Sequence, residues 1–274
     1  MMLKLLLSCV VINVWLFVAV EGFDYYVFAQ QWPPAACLNV PGGKCSISEV
    51  VSTWSIHGLW PTNHKGYPSF CNGSWPFKPQ LLKDLIVQLE AKWPNIYAHS
   101  SEISFWKHEW QKHGTCAATE TDMNTEHKYF KNSLQLHDQF DIYQFIKGAG
   151  IEPSKDQPYS LQTIQDAIYS NVNVTIKLFC KNHQEYEHPI LTSMYICFDK
   201  QLGLIGCDEI KETTCKNTYV YYLPFPDRKP SKRFLYYLIT FVIAVICAIV
   251  IFILMKMWQK RRRMKIGERM KILF

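Results

Sequence analysis

No two cysteines of this 274-residue chain stand as C-x-x-C, no segment repeats, and none is of low complexity. The first absence argues against a redox pair or a zinc site built on close thiols. The second argues against a solenoid. No H-E-x-x-H motif occurs, although one stretch comes within a residue of it. Charge is missing altogether from Phe234 to Met255, a run of 22 residues. Over the whole chain, charged residues make up 19%, against 49% hydrophobic and 15% aromatic. That composition fills a packed core and argues against disorder. The length suits one sizeable domain or two small ones.

Ten cysteines are present. Cys9 and Cys247 lie inside apolar runs. The other eight are Cys37, Cys45, Cys71, Cys116, Cys180, Cys197, Cys207 and Cys215. An even number spread through one domain reads as four disulfides in an oxidising compartment, with free or metal-bound thiols as the alternative. The loop Cys37 to Cys45 is short enough for a local bridge.

Both ends of the chain speak of membranes. Residues 1–22 carry Lys4 and then an apolar run, which predicts a signal peptide cleaved near Phe23, or else an uncleaved anchor. The run 234–255 would span about 33 Å as a helix, enough for a bilayer core, where a buried core helix is the alternative. Tyr236, Tyr237 and Trp258 stand as interfacial anchors. The tail 256–274 holds eight Lys or Arg and one Glu, which accounts for the net charge of +6 and leaves the rest nearly neutral. The expected topology puts the main domain, 23–226, outside or in a lumen of the secretory pathway, at the cell surface or in an endosome or lysosome. A linker at 227–233, one span and a basic cytosolic tail follow. Arg228, Lys229, Lys232 and Arg233 weaken the charge asymmetry without reversing it.

Along the main domain, Tyr25–Gln31 reads as a strand ended by Trp32-Pro33-Pro34. W-S-I-H-G-L-W-P, from Trp54 to Pro61, reads as a second strand. There, Trp54, Ile56 and Gly58 should face one way and Ser55, His57 and Leu59 the other. Helices are expected at 79–93, 126–145 and 160–169, and strands at 172–180, 194–198, 202–206 and 219–223. Sequons at Asn72 and Asn173 predict N-glycosylation.

The stretch F-W-K-H-E-W-Q-K-H-G-T-C, from Phe105 to Cys116, is the most crowded in the chain. As a helix it pairs His108 with Lys112, and Glu109 with His113, at neighbouring positions. Trp106 and Trp110 form an adjacent apolar stripe, and Gly114 is a candidate C-cap. A merely solvated charged face is the plain alternative, which the tryptophans disfavour. Zinc is disfavoured by spacing: His108 and His113 stand five apart, where the metalloprotease motif needs four.

Together, Trp54–Pro61 and Phe105–Cys116 resemble the two active-site segments of the T2 ribonuclease family, secreted or lysosomal acid endoribonucleases. The resemblance covers about 23–226 and leaves out the span and tail. It implies that His57 and His113 are an acid–base pair, that Glu109 and Lys112 assist at the phosphate, and that His108 helps hold the substrate phosphate or ribose. It also implies that Trp60 and Phe105 contact a base. Thr62 departs from members that carry an acidic residue there, which leaves base preference open. The implied disulfides are Cys37–Cys45, Cys71–Cys116, Cys180–Cys215 and Cys197–Cys207.

The expected fold is α+β: a central, mostly antiparallel sheet flanked by helices, disulfide-stabilised, with one C-terminal transmembrane helix. The expected activity is cleavage of single-stranded RNA by a monomer with no cofactor and no metal, through a 2′,3′-cyclic phosphate and with an acid pH optimum. Two imidazoles suit it, because one can be neutral while the other is charged at mildly acid pH. A membrane-tethered decoy that keeps the fold and binds RNA or protein without turnover is the alternative.

Overall fold

A computed structural model describes residues 22–38, 40, 45–98, 100–211, 213–227 and 232–271. The expected signal peptide, most of the linker at 227–233 and the last residues of the tail lie outside these. The chain falls into two compact units, Met1–Pro226 and Asp227–Phe274.

In chain order the first unit runs β1 (Tyr25–Gln31), α1 (Pro33–Cys37), β2 (Ser55–Thr62), a 3-10 turn (Pro79–Leu82), α2 (Ile86–Lys92) and α3 (Glu102–Glu109). A π-helical turn (Trp110–Gly114) leads into α4 (Thr115–Ala117), then α5 (Glu126–Gln139) and α6 (Ile142–Gly148). β3 (Pro158–Ser160), α7 (Leu161–Val172), β4 (Lys177–Lys181), β5 (Ile190–Phe198), β6 (Leu204–Ile205) and β7 (Tyr219–Tyr221) complete it. The strands form one sheet in the order β2-β1-β5-β7-β3, with β4 and β6 also paired to β5. All pairings are antiparallel except the short parallel contact of β5 with β7. This is the expected α+β sheet flanked by helices.

β1 is buried along its whole length, as suits a strand with neighbours on both edges and helices over one face. Pro33, at the first turn of α1, lacks the N–H that a helix start leaves unpaired. The buried indoles find polar partners: Trp32 Nε1 donates to the Leu223 carbonyl at 2.6 Å and Trp54 Nε1 to the Tyr222 hydroxyl at 3.1 Å. These bonds tie the segment just after the last strand to residues that flank the first two. The four disulfides are Cys37–Cys45, Cys71–Cys116, Cys180–Cys215 and Cys197–Cys207, the pairing the resemblance implied.

Three expected elements divide or shift. The helix at 79–93 is broken by the turn at 83–85, because Leu82, Leu85 and Leu89 reach the core while Leu81 and Val87 stay exposed. The helix at 126–145 stops at Phe140, since the Asp141 side chain accepts from the Gln144 N–H and starts α6. The strand expected from Val172 begins only at Lys177. α7 runs through Val172 and is capped by Asn173 in the left-handed conformation (φ 55°), which asparagine tolerates.

In the second unit, α8 (Lys232–Lys271) contains the one described segment long and apolar enough to cross a membrane, Ile239–Arg262, whose most apolar 18-residue window has mean hydropathy 2.9.

Candidate active site

β2 is an edge strand, so one row of its backbone groups faces away from the sheet. Side chains from the helical layer cover that row. Trp93 Nε1 donates to the His57 carbonyl (3.1 Å), the Tyr129 hydroxyl to the Leu59 carbonyl (2.8 Å) and His137 Nε2 to the Trp54 carbonyl (2.8 Å). Each such bond adds about 1 kcal/mol and fixes the strand against the helices.

The pairing of β1 with β2 contains a bulge. Ala29 opposes Gly58 and Gln30 opposes Ile56, so His57 is the extra residue with no partner. The bulge breaks the simple alternation expected there. Ile56 and Leu59 both enter the main core, while His57 and Trp60 line the cleft. A bulge re-aims one side chain in this way without ending the strand.

The facing wall is α3 and the π turn. Ser101 caps α3, its hydroxyl accepting from the Ser104 N–H at 3.1 Å. The helix does not end at Gly114, as its identity predicted. Gly114 is right-handed helical, and the chain continues into α4. The reason for glycine is packing, because a Cβ there would collide with the Trp110 ring. The Thr115 N–H reaches back five residues to the Trp110 carbonyl, widening the turn. Trp106 and Trp110 are each 1% exposed, and Glu109 and His113 are buried with them. The solvated-face reading is thereby excluded.

These two walls enclose a cleft of about 430 Å³ lined by His57, Trp60, Phe105, His108, Glu109, Lys112 and His113, among others. A smaller space of about 240 Å³ opens on the other side of Trp60, Lys112 and His113, and is bounded by Thr62 and Tyr67. Trp60 neighbours both imidazoles, its ring 5.2 Å from the half-buried His57 and 5.4 Å from the buried His113 by centroids. Its Nε1 donates to Glu109 Oε2 at 3.3 Å. All seven candidate residues therefore meet in one place, although they come from segments some fifty residues apart.

Electrostatics sets their resting charge. Burial, and then the Lys112 ammonium and the neighbouring His108, push the His57 imidazole down to about 4. Burial and the neighbouring Lys112, His108 and His57 push His113 down to about 3. His113 Nδ1 is buried with no hydrogen-bond partner among the described residues, so no carboxylate offsets this. Burial drives the Glu109 carboxyl up to about 8, against the opposing pull of the Trp60 N–H and Lys112. Glu109 is therefore neutral at mildly acid pH. At that value it is not an anion that could keep an imidazole charged.

Several lining residues were not visible in the sequence. Asn95 is one. Its amide nitrogen donates to the Ser100 carbonyl at 2.7 Å, and its N–H donates to the Glu102 carboxyl at 2.6 Å, which fixes the segment before α3. Tyr67, exposed in a loop rich in Pro and Gly, is another. The W-P-N run before a helix start was the available signal for Asn95; for Tyr67 there was none. Among the described residues, no group of His, Cys, Asp and Glu is arranged to hold a metal ion.

Two imidazoles held neutral beside an ammonium and a protonated carboxyl are chemically suited to proton transfer at an anionic substrate. The chain belongs to the Ribonuclease T2 family, whose model matches residues 23–207. It is similar to Ribonuclease Oy of Magallana gigas, 38% identical over 210 residues, with 74% of this chain and 97% of that one aligned. Ribonuclease T2 of Homo sapiens is 34% identical over 177 residues, covering 64% of this chain and 66% of that one. Among solved structures, RNase NT in complex with 5′-AMP superposes with a TM-score of 0.67 at 29% identity, covering 75% of this chain and all of that one. Human RNase T2 gives 0.62 at 30% identity, covering 74% and 99%.

Proposed function

We propose that the chain is an endoribonuclease that cuts single-stranded RNA without a metal, by transphosphorylation to a 2′,3′-cyclic phosphate. The observation that carries the reading is the convergence of His57 and His113 on Trp60 in one cleft, with Lys112 and His108 lining the same cleft. One imidazole takes the proton of the 2′-hydroxyl, the 2′-oxygen bonds to phosphorus, the bond to the 5′-oxygen breaks, and the other imidazolium gives that oxygen a proton. Water then opens the cyclic product with the roles reversed.

A substrate phosphate supplies the negative charge that the cluster of cations calls for. It raises both imidazoles and lets one of them hold its proton at acid pH. Lys112 and His108 stabilise the charge that grows on the phosphoryl oxygens. Glu109, neutral and fixed by Trp60, donates a hydrogen bond to the same oxygens. DNA lacks the attacking hydroxyl and is not cut. Trp60 and Phe105 offer ring faces to the bases beside the scissile phosphate.

The membrane reading belongs here too. The uncharged run of α8 supports a single span, with the ribonuclease domain luminal or extracellular and the basic segment cytosolic. Asn72 and Asn173 are both exposed, which suits glycosylation in that compartment. Alkaline extraction of membranes tests the span: protein released into the supernatant would refute it.

The function is tested with purified protein at about pH 5. Wild type should cleave RNA and release cyclic-phosphate ends with EDTA present. His57→Phe and His113→Phe should be inactive yet folded. Activity in either variant, or loss on chelation, refutes the reading. A folded wild type that binds RNA without turnover would establish the decoy instead.

A further inference from the structure

Phe70 is a bulky residue in a conformation that disfavours it. Its φ is 54°, in the left-handed region where glycine and asparagine are at ease and phenylalanine is strained. The strain gains no burial, since the side chain is 56% exposed. The backbone around it is nevertheless held firmly. The Phe70 N–H donates to the Lys112 carbonyl at 3.0 Å, and the next residue, Cys71, is bonded to Cys116 on α4. Both anchors are on the segment that carries Lys112 and His113. The ring is thereby held edge-on to the His108 imidazole, with centroids 6.3 Å apart.

Phe70 lines neither of the two spaces that flank Trp60, Lys112 and His113. Those two spaces suffice for the bases on either side of one scissile phosphate. A ring beyond them, next to His108, meets a nucleotide only when the strand continues. We propose that Phe70 is a stacking platform for a third nucleotide, outside the scissile pair, which makes the enzyme favour longer strands. The proposal rests on the ribonuclease reading. A flat, exposed ring on an anchored backbone stacks on any base, so the preference is for length rather than sequence.

The experiment compares the full chain in detergent on a dinucleoside monophosphate and on a single-stranded hexanucleotide. Wild type should show a lower KM for the hexanucleotide. Phe70→Asn relieves the strain and removes the ring, so it should fold at least as well. It should lose about 5- to 150-fold of the hexanucleotide's advantage in kcat/KM, through KM, with the dinucleoside constants unchanged. Phe70→Trp should keep the advantage. An Asn variant that treats the hexanucleotide as wild type does overturns the proposal. So does one that loses both substrates equally, which would make Phe70 a support for His108. A wild type inert on both substrates overturns the ribonuclease reading itself, and this proposal with it.

Discussion

Gly58 and Glu109 lie so close that a side chain on one would displace the other: a Cβ on Gly58 would run into both Glu109 Oε2 and the Trp60 indole nitrogen. The glycine is thus what allows the carboxyl, the indole and the strand to meet. Gly58→Ala should push the Trp60–Glu109 pair out of place while β2 stays in the sheet. The expected cost is about 100-fold in kcat/KM, the scale of a misplacement near 1 Å, with little change in melting temperature. A variant with wild-type activity would show that the contact does not matter.

The raised Glu109 carboxyl makes a second prediction. A neutral donor is mimicked by an amide, and a carboxylate base is not. At about pH 5, Glu109→Gln should therefore keep most of the activity, while Glu109→Ala should lose about 100-fold or more. Equal losses in the two variants would show that an ionised carboxylate is required. Wild type should also lose activity as pH rises through about 8, where Glu109 gives up its proton, and the Gln variant should lack that added loss.

The imidazoles give a pH signature. In the free protein both are pushed low, to about 4 for His57 and about 3 for His113. Bound phosphate raises them. The profile of kcat/KM reports the free enzyme and that of kcat the complex. The limbs of kcat should therefore lie at higher pH than those of kcat/KM. Steady-state kinetics from pH 3.5 to 7.5 (a range chosen around the ordinary histidine value of about 6.5) would measure the offset. Coincident limbs would contradict the electrostatic account.

His137 is another buried imidazole, remote from the chemistry, lowered by burial while its Nε2 donates to the Trp54 carbonyl. Its folded value lies below its unfolded one, so the unfolded chain takes up the proton first. Stability is then lost as pH falls below the ordinary value of 6.5, and His57 and His113 act in the same direction. Glu109 acts oppositely: its contribution is full below 4.5 and is lost as pH rises towards 8. Maximum stability should fall near pH 6.5, on the order of the unfolded histidine value. His137→Gln should flatten the acid limb by up to about 1.4 kcal/mol per pH unit, read from denaturant melts. An unchanged slope would exclude His137 as a contributor.

What the sequence made legible was chemistry carried by residue type. His57, Glu109, Lys112 and His113 could be named because imidazole, carboxyl and ammonium are rare so close to tryptophan. The sheet was legible where hydrophobic runs were long, as in β1 and β5. The misreadings have a common cause. The turn at Gly114, the bulge at His57 and the stop at Phe140–Asp141 each depend on a contact with a distant segment or on one side-chain cap. Local pattern reports average periodicity, so it placed His57 on the face of Leu59 and ended a helix that continues. Phe70 escaped notice for the same reason, since nothing in its neighbours announces a left-handed backbone.

The bridge between Cys71 and Cys116 has a consequence for where such a protein is safe to make. It clamps the loop bearing Phe70 onto the turn bearing Lys112 and His113, and it can close only where thiols are oxidised. A copy stranded in the cytosol would lack the clamp, and the turn that carries the chemistry would lose its outer support. The cell's own messages would then meet a crippled version of the molecule, and the fully assembled one would exist only on the far side of a membrane from them.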